Sequence, residues 1–214
     1  MERALDFAEP FFSVKYLLDV EEREVGPKSI VVNLSPQPLR IREQALAFFR
    51  SVVVTNTSIR EARRCLLVED FQRYGDAPAL FERIKQRWVL AYEATHEQRH
   101  KGVALWRSPK VRLGNVEVNM CYADTVPLKV GLHRLHWGGK TFKEVHTQIV
   151  GYGKMQQCLE QDVRTVYLEE ALAPGATHQP MYDEQGNYPW HQYETITPAV
   201  FMPIEMQLSD ELGV

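Results

Sequence analysis

The spacing of apolar residues changes once along this chain, near Gly102. Before that point several stretches carry a period near 3.6. Phe11, Phe12, Tyr16, Leu17 and Leu18 fit one face of a brief helix or an added strand, closed by Gly26-Pro27. Ser29 to Leu34 is a β-branched strand ending at Ser35-Pro36-Gln37-Pro38. Ile41 to Phe49 is helical in composition, and Ser51 to Thr55 fits a strand or the end of that helix. Ser58 with Glu61 matches a capping box, which predicts a helix to about Tyr74 with a stop at Gly75-Asp76. A second helix is predicted from about Pro78 to Ala94. Leu80, Phe81, Ile84, Trp88, Leu90 and Ala91 form its apolar stripe, and the basic run Arg83 to Arg87 belongs to its solvated face.

Beyond Gly102 the helical period stops. Val111, Leu113, Val116 and Val118 alternate around Gly114-Asn115 as a hairpin. Strand-like runs then recur to residue 206. They are divided at Asp124 to Pro127, Gly138-Gly139, Gly151 to Gly153, Pro174-Gly175 and Asp183 to Asn187. Short strands with regular turns suggest a sandwich or a small barrel. The expected fold class is therefore α+β: a helical N-terminal half (residues 1–105, with one or two added strands), a small antiparallel β-barrel (106–208) and a tail (209–214).

Composition narrows the function classes. At 44% hydrophobic and 25% charged, the 214 residues suit a globular domain. A formal charge of -3 gives no reason to expect a nucleic acid or an anionic membrane as partner. No run approaches the roughly 18 apolar residues needed to span a bilayer. The three cysteines form no CxxC pair, which supports neither a zinc ribbon nor a disulfide framework. With no signal-peptide pattern at the N-terminus, the expected compartment is the cytoplasm. The expected partners are a small-molecule substrate and a second copy of the chain, since most soluble oligomers are two-fold.

The candidate chemistry lies between Phe142 and Glu205. In an extended strand Glu144, His146 and Gln148 share one face, with Val145, Thr147 and Ile149 on the other. That polar face looks at solvent or into a polar cavity. His178 follows the Pro174-Gly175 turn, and His191 lies among Trp190 and Tyr193. Glu205 alternates with apolar residues on a last strand, as ligand, general base or solvent face. Imidazoles with one carboxylate and open positions suit Fe(II), Mn(II), Ni(II) or Zn(II). A two-histidine, one-carboxylate face leaves room for substrate and O₂, as in non-haem iron oxygenases; the same ligands can polarise a carbonyl for isomerisation or elimination. No P-loop, dinucleotide fingerprint, nucleophile elbow or HExxH motif is present.

Two short motifs resemble the cupin superfamily: Pro174-Gly175-Ala-Thr-His178, and Glu144 followed by Gly151 after six residues. The resemblance covers roughly residues 110–206. It implies a β-barrel whose glutamate and histidines bind one divalent metal. Cupins place His-x-His shortly before the glutamate; here stands His133-Arg-Leu-His136, an i, i+3 pair that a regular strand sends to opposite faces. His146 then takes the missing ligand's place. The expected ligands are Glu144, His146, His178 and His191. Tyr193 and Glu205 are the expected catalytic groups, and Gln148, Tyr182 and Trp190 the expected substrate contacts. The expected activity is that of a metal-dependent enzyme on a small polar metabolite, with an Fe(II) oxygenase favoured. The alternatives are an isomerase or lyase of the same fold, and a binding module without chemistry.

Overall fold

The computed structural model describes residues 1–74, 78–134, 142–182 and 187–207. The predicted stop at Gly75-Asp76, His136, the Gly138-Gly139 turn, most of the Asp183 to Asn187 turn and the tail lie outside these residues.

The N-terminal half is β-sheet, which overturns the expected helical half. Strands β1 (Glu2–Leu5), β2 (Ser13–Val25), β3 (Ser29–Asn33), β6 (Ser51–Val54) and β7 (Thr57–Glu69) form an antiparallel sheet in the order β1-β2-β7-β3-β6. The hairpin of β4 (Leu39–Ile41) and β5 (Gln44–Leu46) joins β7. The segment with the capping-box pattern is the long strand β7. Its residues Ile59, Ala62 and Cys65 are buried in one cluster. That spacing of three imitates a helix. It arises in a strand because Glu61, at φ 57°, breaks the alternation of faces. The Ile41 to Phe49 stretch is likewise a hairpin, turning at Arg42 with φ 52°.

Two α-helices occur among the described residues: α1 (Pro78–Arg87) and α2 (Ala91–Thr95), with the short strand β8 (Val89–Leu90) between them. The second predicted helix is therefore split. Leu80 and Ile84 of α1, and Trp88 just after it, are buried as the stripe requires. Neither helix is long and apolar enough to cross a membrane.

The C-terminal half contains β9 (Leu105–Arg107), β10 (Val111–Leu113), β11 (Val116–Val118), β12 (Cys121–Ala123), β13 (Phe142–Val150) and β17 (Ala199–Gln207). These join β8 in one antiparallel sheet, in the order β10-β11-β17-β12-β9-β8, with β13 on β17. A three-stranded sheet of β15 (Val166–Leu172), β14 (Gly153–Cys158) and β16 (Trp190–Thr195) faces it. Isolated bridges close the gaps between these sheets: Lys129 with Glu194, His133 with His191, and Thr147 with Thr177.

The large core lies between the N-terminal sheet and the outer face of the C-terminal one. Phe11, Phe12, Ile30, Val32, Leu66 and Val68 meet Val145, Ile149, Val200, Met202 and Ile204 there. A smaller core of Leu105, Cys121, Met155, Tyr193 and Phe201 lines the inside of the barrel. Strand alternation sends residues of β13 and β17 into the two cores by turns, so one strand supplies both packing and site.

Two glycines hold the turns beside the site. At Gly151 (φ 71°) a Cβ would run into the Pro198 carbonyl, and at Gly175 (φ 91°) into the Val53 side chain. Gly151→Ala is expected to cost about 2–4 kcal/mol from a left-handed backbone plus a clash with main chain. Gly26→Ala, with open space around it, is expected to stay within about 0.5 kcal/mol. Urea denaturation of both variants checks the contrast.

Candidate metal centre

Strand β13 presents Glu144, His146 and Gln148 to the barrel interior. All three are buried, with Glu144 only 3% exposed. Strand β16 presents His191 and Tyr193 from the opposite side, both at most 1% exposed. His133 arrives from an irregular segment. Its backbone exchanges two hydrogen bonds with His191, at 3.1 and 3.0 Å, and the two rings lie 4.1 Å apart. His133, Glu144 and His191 each offer a ligand atom, and all three atoms lie within 4.8 Å of one another. His146 Nε2 is 3.4 Å from Glu144 Oε1, and His191 Nε2 is 3.5 Å from Glu144 Oε2. Beside them lies a cavity of about 50 Å³.

The hydrogen bonds fix the tautomers, because a ring nitrogen facing a carbonyl must carry the proton. His191 Nδ1 donates to Pro189 O (2.9 Å), so Nε2 keeps its lone pair. His178 Nδ1 donates to Gln179 O (2.6 Å), which leaves His178 Nε2 to accept from His146 Nδ1 at 3.2 Å. His146 Nε2 is then also a lone pair. His133 Nδ1 donates to Gly131 O at 3.1 Å. Arg99 Nη1 is nearly equidistant from the two nitrogens of His133 (3.2 and 3.3 Å), off both lone-pair axes, and Glu97 holds that guanidinium from behind at 2.5 Å. Three imidazole lone pairs and a buried carboxylate thus converge. Such a donor set fits a divalent metal.

The sequence-derived residues distribute as follows. Glu144, His146 and His191 come together. His178 is buried behind His146, holding it rather than facing the carboxylate. Tyr193 lines the cavity, and its hydroxyl donates to Gln148 Oε1 at 2.8 Å. Burial pushes the phenol above its usual range, against the opposing pull of that hydrogen bond. Glu205 lines the cavity rim, with both oxygens 2.9 Å from Lys110 Nζ. Trp190 lies on the strand face opposite His191 and Tyr193. Tyr182 is exposed, with Lys143 over its ring at 5.6 Å. His133 and Arg99 were not singled out by the sequence. The i, i+3 argument against His133 assumes a regular strand, whereas His133 makes an isolated bridge followed by a bend at Arg134.

No family model matches the chain, and no curated protein matches it. Solved structures do. KdgF from Halomonas sp. aligns at 12% identity over 51% of this chain and 84% of that one, with a TM-score of 0.35. A cupin 2 conserved barrel domain protein from Leptotrichia buccalis aligns at 12% identity over 97% and 88%, TM-score 0.36. A sugar phosphate isomerase from a cupin superfamily, from Silicibacter pomeroyi, aligns at 20% identity over 48% and 60%, TM-score 0.32. The chain is similar to cupin structures. At such TM-scores the likeness carries nothing about the site, which stands on its own geometry.

The buried His178 gives a pH signature. Burial first, and the neighbouring His146 next, lower its pKa from 6.5 to about 3. Between those values the unfolded chain binds a proton that the folded chain refuses, so stability rises with pH across the window and is lost as pH falls below about 6.5. The expected slope from this group approaches about 1.4 kcal/mol per pH unit. Urea midpoints of the chelator-treated protein from pH 7 to 4 check it; His178→Gln is expected to flatten the loss.

Proposed function

We propose that the protein is a metal-dependent enzyme on a cupin-like barrel, acting on a small polar metabolite. The observation that carries this reading is the buried trio of His133, Glu144 and His191, with ligand atoms within 4.8 Å of one another. Two imidazoles, one carboxylate and no thiolate suit Fe(II), with Mn(II), Ni(II) or Zn(II) as alternatives, and favour a non-haem iron oxygenase. Bound there, Fe(II) supplies one-electron chemistry toward O₂, and any of these ions supplies Lewis acidity toward a carbonyl.

The chain's own groups hold this arrangement in place. Gln179 O and His178 orient His146, and Pro189 O orients His191. Tyr188 donates its hydroxyl to the Glu144 carbonyl at 2.6 Å, fixing the strand at the carboxylate. Tyr193 keeps its proton at neutral pH and forms one cavity wall with Phe201, the rings stacked at 4.1 Å. Leu105, Val130 and Phe201 add apolar surface to the same cavity.

A second reading, a Lewis-acid isomerase or lyase, is favoured by one contact. His146 Nε2 at 3.4 Å from Glu144 Oε1 offers a third imidazole, which would leave fewer open positions for O₂.

Elemental analysis of protein purified without chelator or affinity nickel tests the proposal. About one equivalent of a divalent metal is expected, falling to background in Glu144→Gln and His191→Ala. His178→Ala is expected to keep the stoichiometry and weaken affinity about 10–100-fold. Iron favours the oxygenase, and zinc or manganese the Lewis-acid reading. Wild-type protein that neither carries metal nor takes any up on titration would sink both readings and leave a binding module.

A further inference from the structure

The same cavity carries a second kind of chemistry. Arg107, on β9, lines the cavity together with Arg99, Asn119 and Cys121. The two arginines differ in their commitments. Arg99 is paired with Glu97 and laid against His133. Among the described residues, Arg107 makes one side-chain hydrogen bond, Nη2 to Asn119 Oδ1 at 3.4 Å, and no ion pair. Asn119 is itself only 1% exposed, and its amide donates to Met120 O and Cys121 Sγ. It is therefore an anchored acceptor that steers one arm of the guanidinium, whose other donors make no hydrogen bond among the described residues; Arg107 also borders a second cleft, beside Arg87 and Lys110. Burial pushes the Cys121 thiol up to about 11, so no thiolate competes for that charge.

Charge and size then define the occupant. Lys110 is shared between Glu205 and Glu117, and Glu97 balances Arg99. Arg107 and a divalent ion at Glu144 would leave the cavity positive. A planar guanidinium matches a carboxylate through two parallel N–H···O bonds. A cavity of about 50 Å³ has room for about four water-sized groups. We propose that this site binds a short-chain carboxylate, of about two carbons, with its carboxylate held by Arg107 and its remainder directed toward the His133–Glu144–His191 cluster. This rests on the metal-centre reading for the far end of the ligand.

Calorimetric titration of manganese-loaded protein with glycolate, and with glycolamide as the uncharged isostere, tests it. Glycolate is expected to bind and glycolamide at least tenfold more weakly, a comparison that needs no variant. Arg107→Gln is expected to lose glycolate binding at least tenfold while its manganese titration is unchanged; Arg107→Lys, charged but without the fork, is expected to fall between. Equal binding of the two probes, no binding of either, or glycolate binding untouched in Arg107→Gln would overturn the inference while leaving the metal centre standing. Failure of manganese itself to bind would instead overturn the reading beneath it.

Discussion

A buried carboxylate facing imidazole lone pairs is the constraint around which the barrel is arranged. Glu144 is 3% exposed and has His146 and His191 at 3.4 and 3.5 Å. Burying such a charge costs several kcal/mol unless positive charge or strong donors compensate. Backbone carbonyls hold the Nδ1 side of His133, His178 and His191, and His178 holds that of His146. The fold therefore gathers a candidate ligand set, His133, Glu144 and His191, in one place. Gln179 O, Pro189 O and Gly131 O each lie within one or two residues of the histidine they orient, so local chain geometry sets each tautomer.

The N-terminal sheet bears on this centre although none of its residues is among those lining the cavity. Ser51 Oγ donates to Gly175 O at 2.6 Å and accepts from Thr177 Oγ1 at 2.7 Å, and Thr177 meets Thr147 at 2.6 Å. Thr147 adjoins His146, and Thr177 adjoins His178. A chain of hydroxyls, buried at Thr147 and Thr177 and half-buried at Ser51, thus ties β6 to the strand and turn that carry the paired imidazoles. Such a network is rigid when every member is satisfied. The packing of Ile30, Val32 and Leu66 against Val145 and Ile149 fixes the other face of the same strand.

What was legible in the sequence follows from which contacts are local. The alternation of Glu144, His146 and Gln148 against Val145 and Ile149 is a property of one strand, and it predicts which side chains enter the barrel. The Gly114-Asn115 hairpin and the apolar stripe of α1 were readable for the same reason. The N-terminal sheet was not. Its long strands are covered on both faces or interrupted by positive φ at Asp19 and Glu61, so their burial loses the period of two. A capping-box match at Ser58 and Glu61 carries little weight against the pairing of β7 with β2, β3 and β4, since tertiary pairing overrides local propensity.

His133 shows the same limit within the site. Its place is set by a two-bond bridge to His191, 58 residues away in sequence, and by Arg99 from the segment after α2. No local pattern encodes that meeting. The residue types were nonetheless informative in aggregate: three of the described histidines (His146, His178, His191) fall on or beside strands whose neighbours are apolar. An imidazole placed in an apolar wall either finds a specific partner or destabilises the core. Here each of them does find one, through a carbonyl or another histidine, and the partners are arranged so that the lone pairs left over from His146 and His191 point at one carboxylate. The surrounding core, by excluding water, makes that convergence electrostatically demanding.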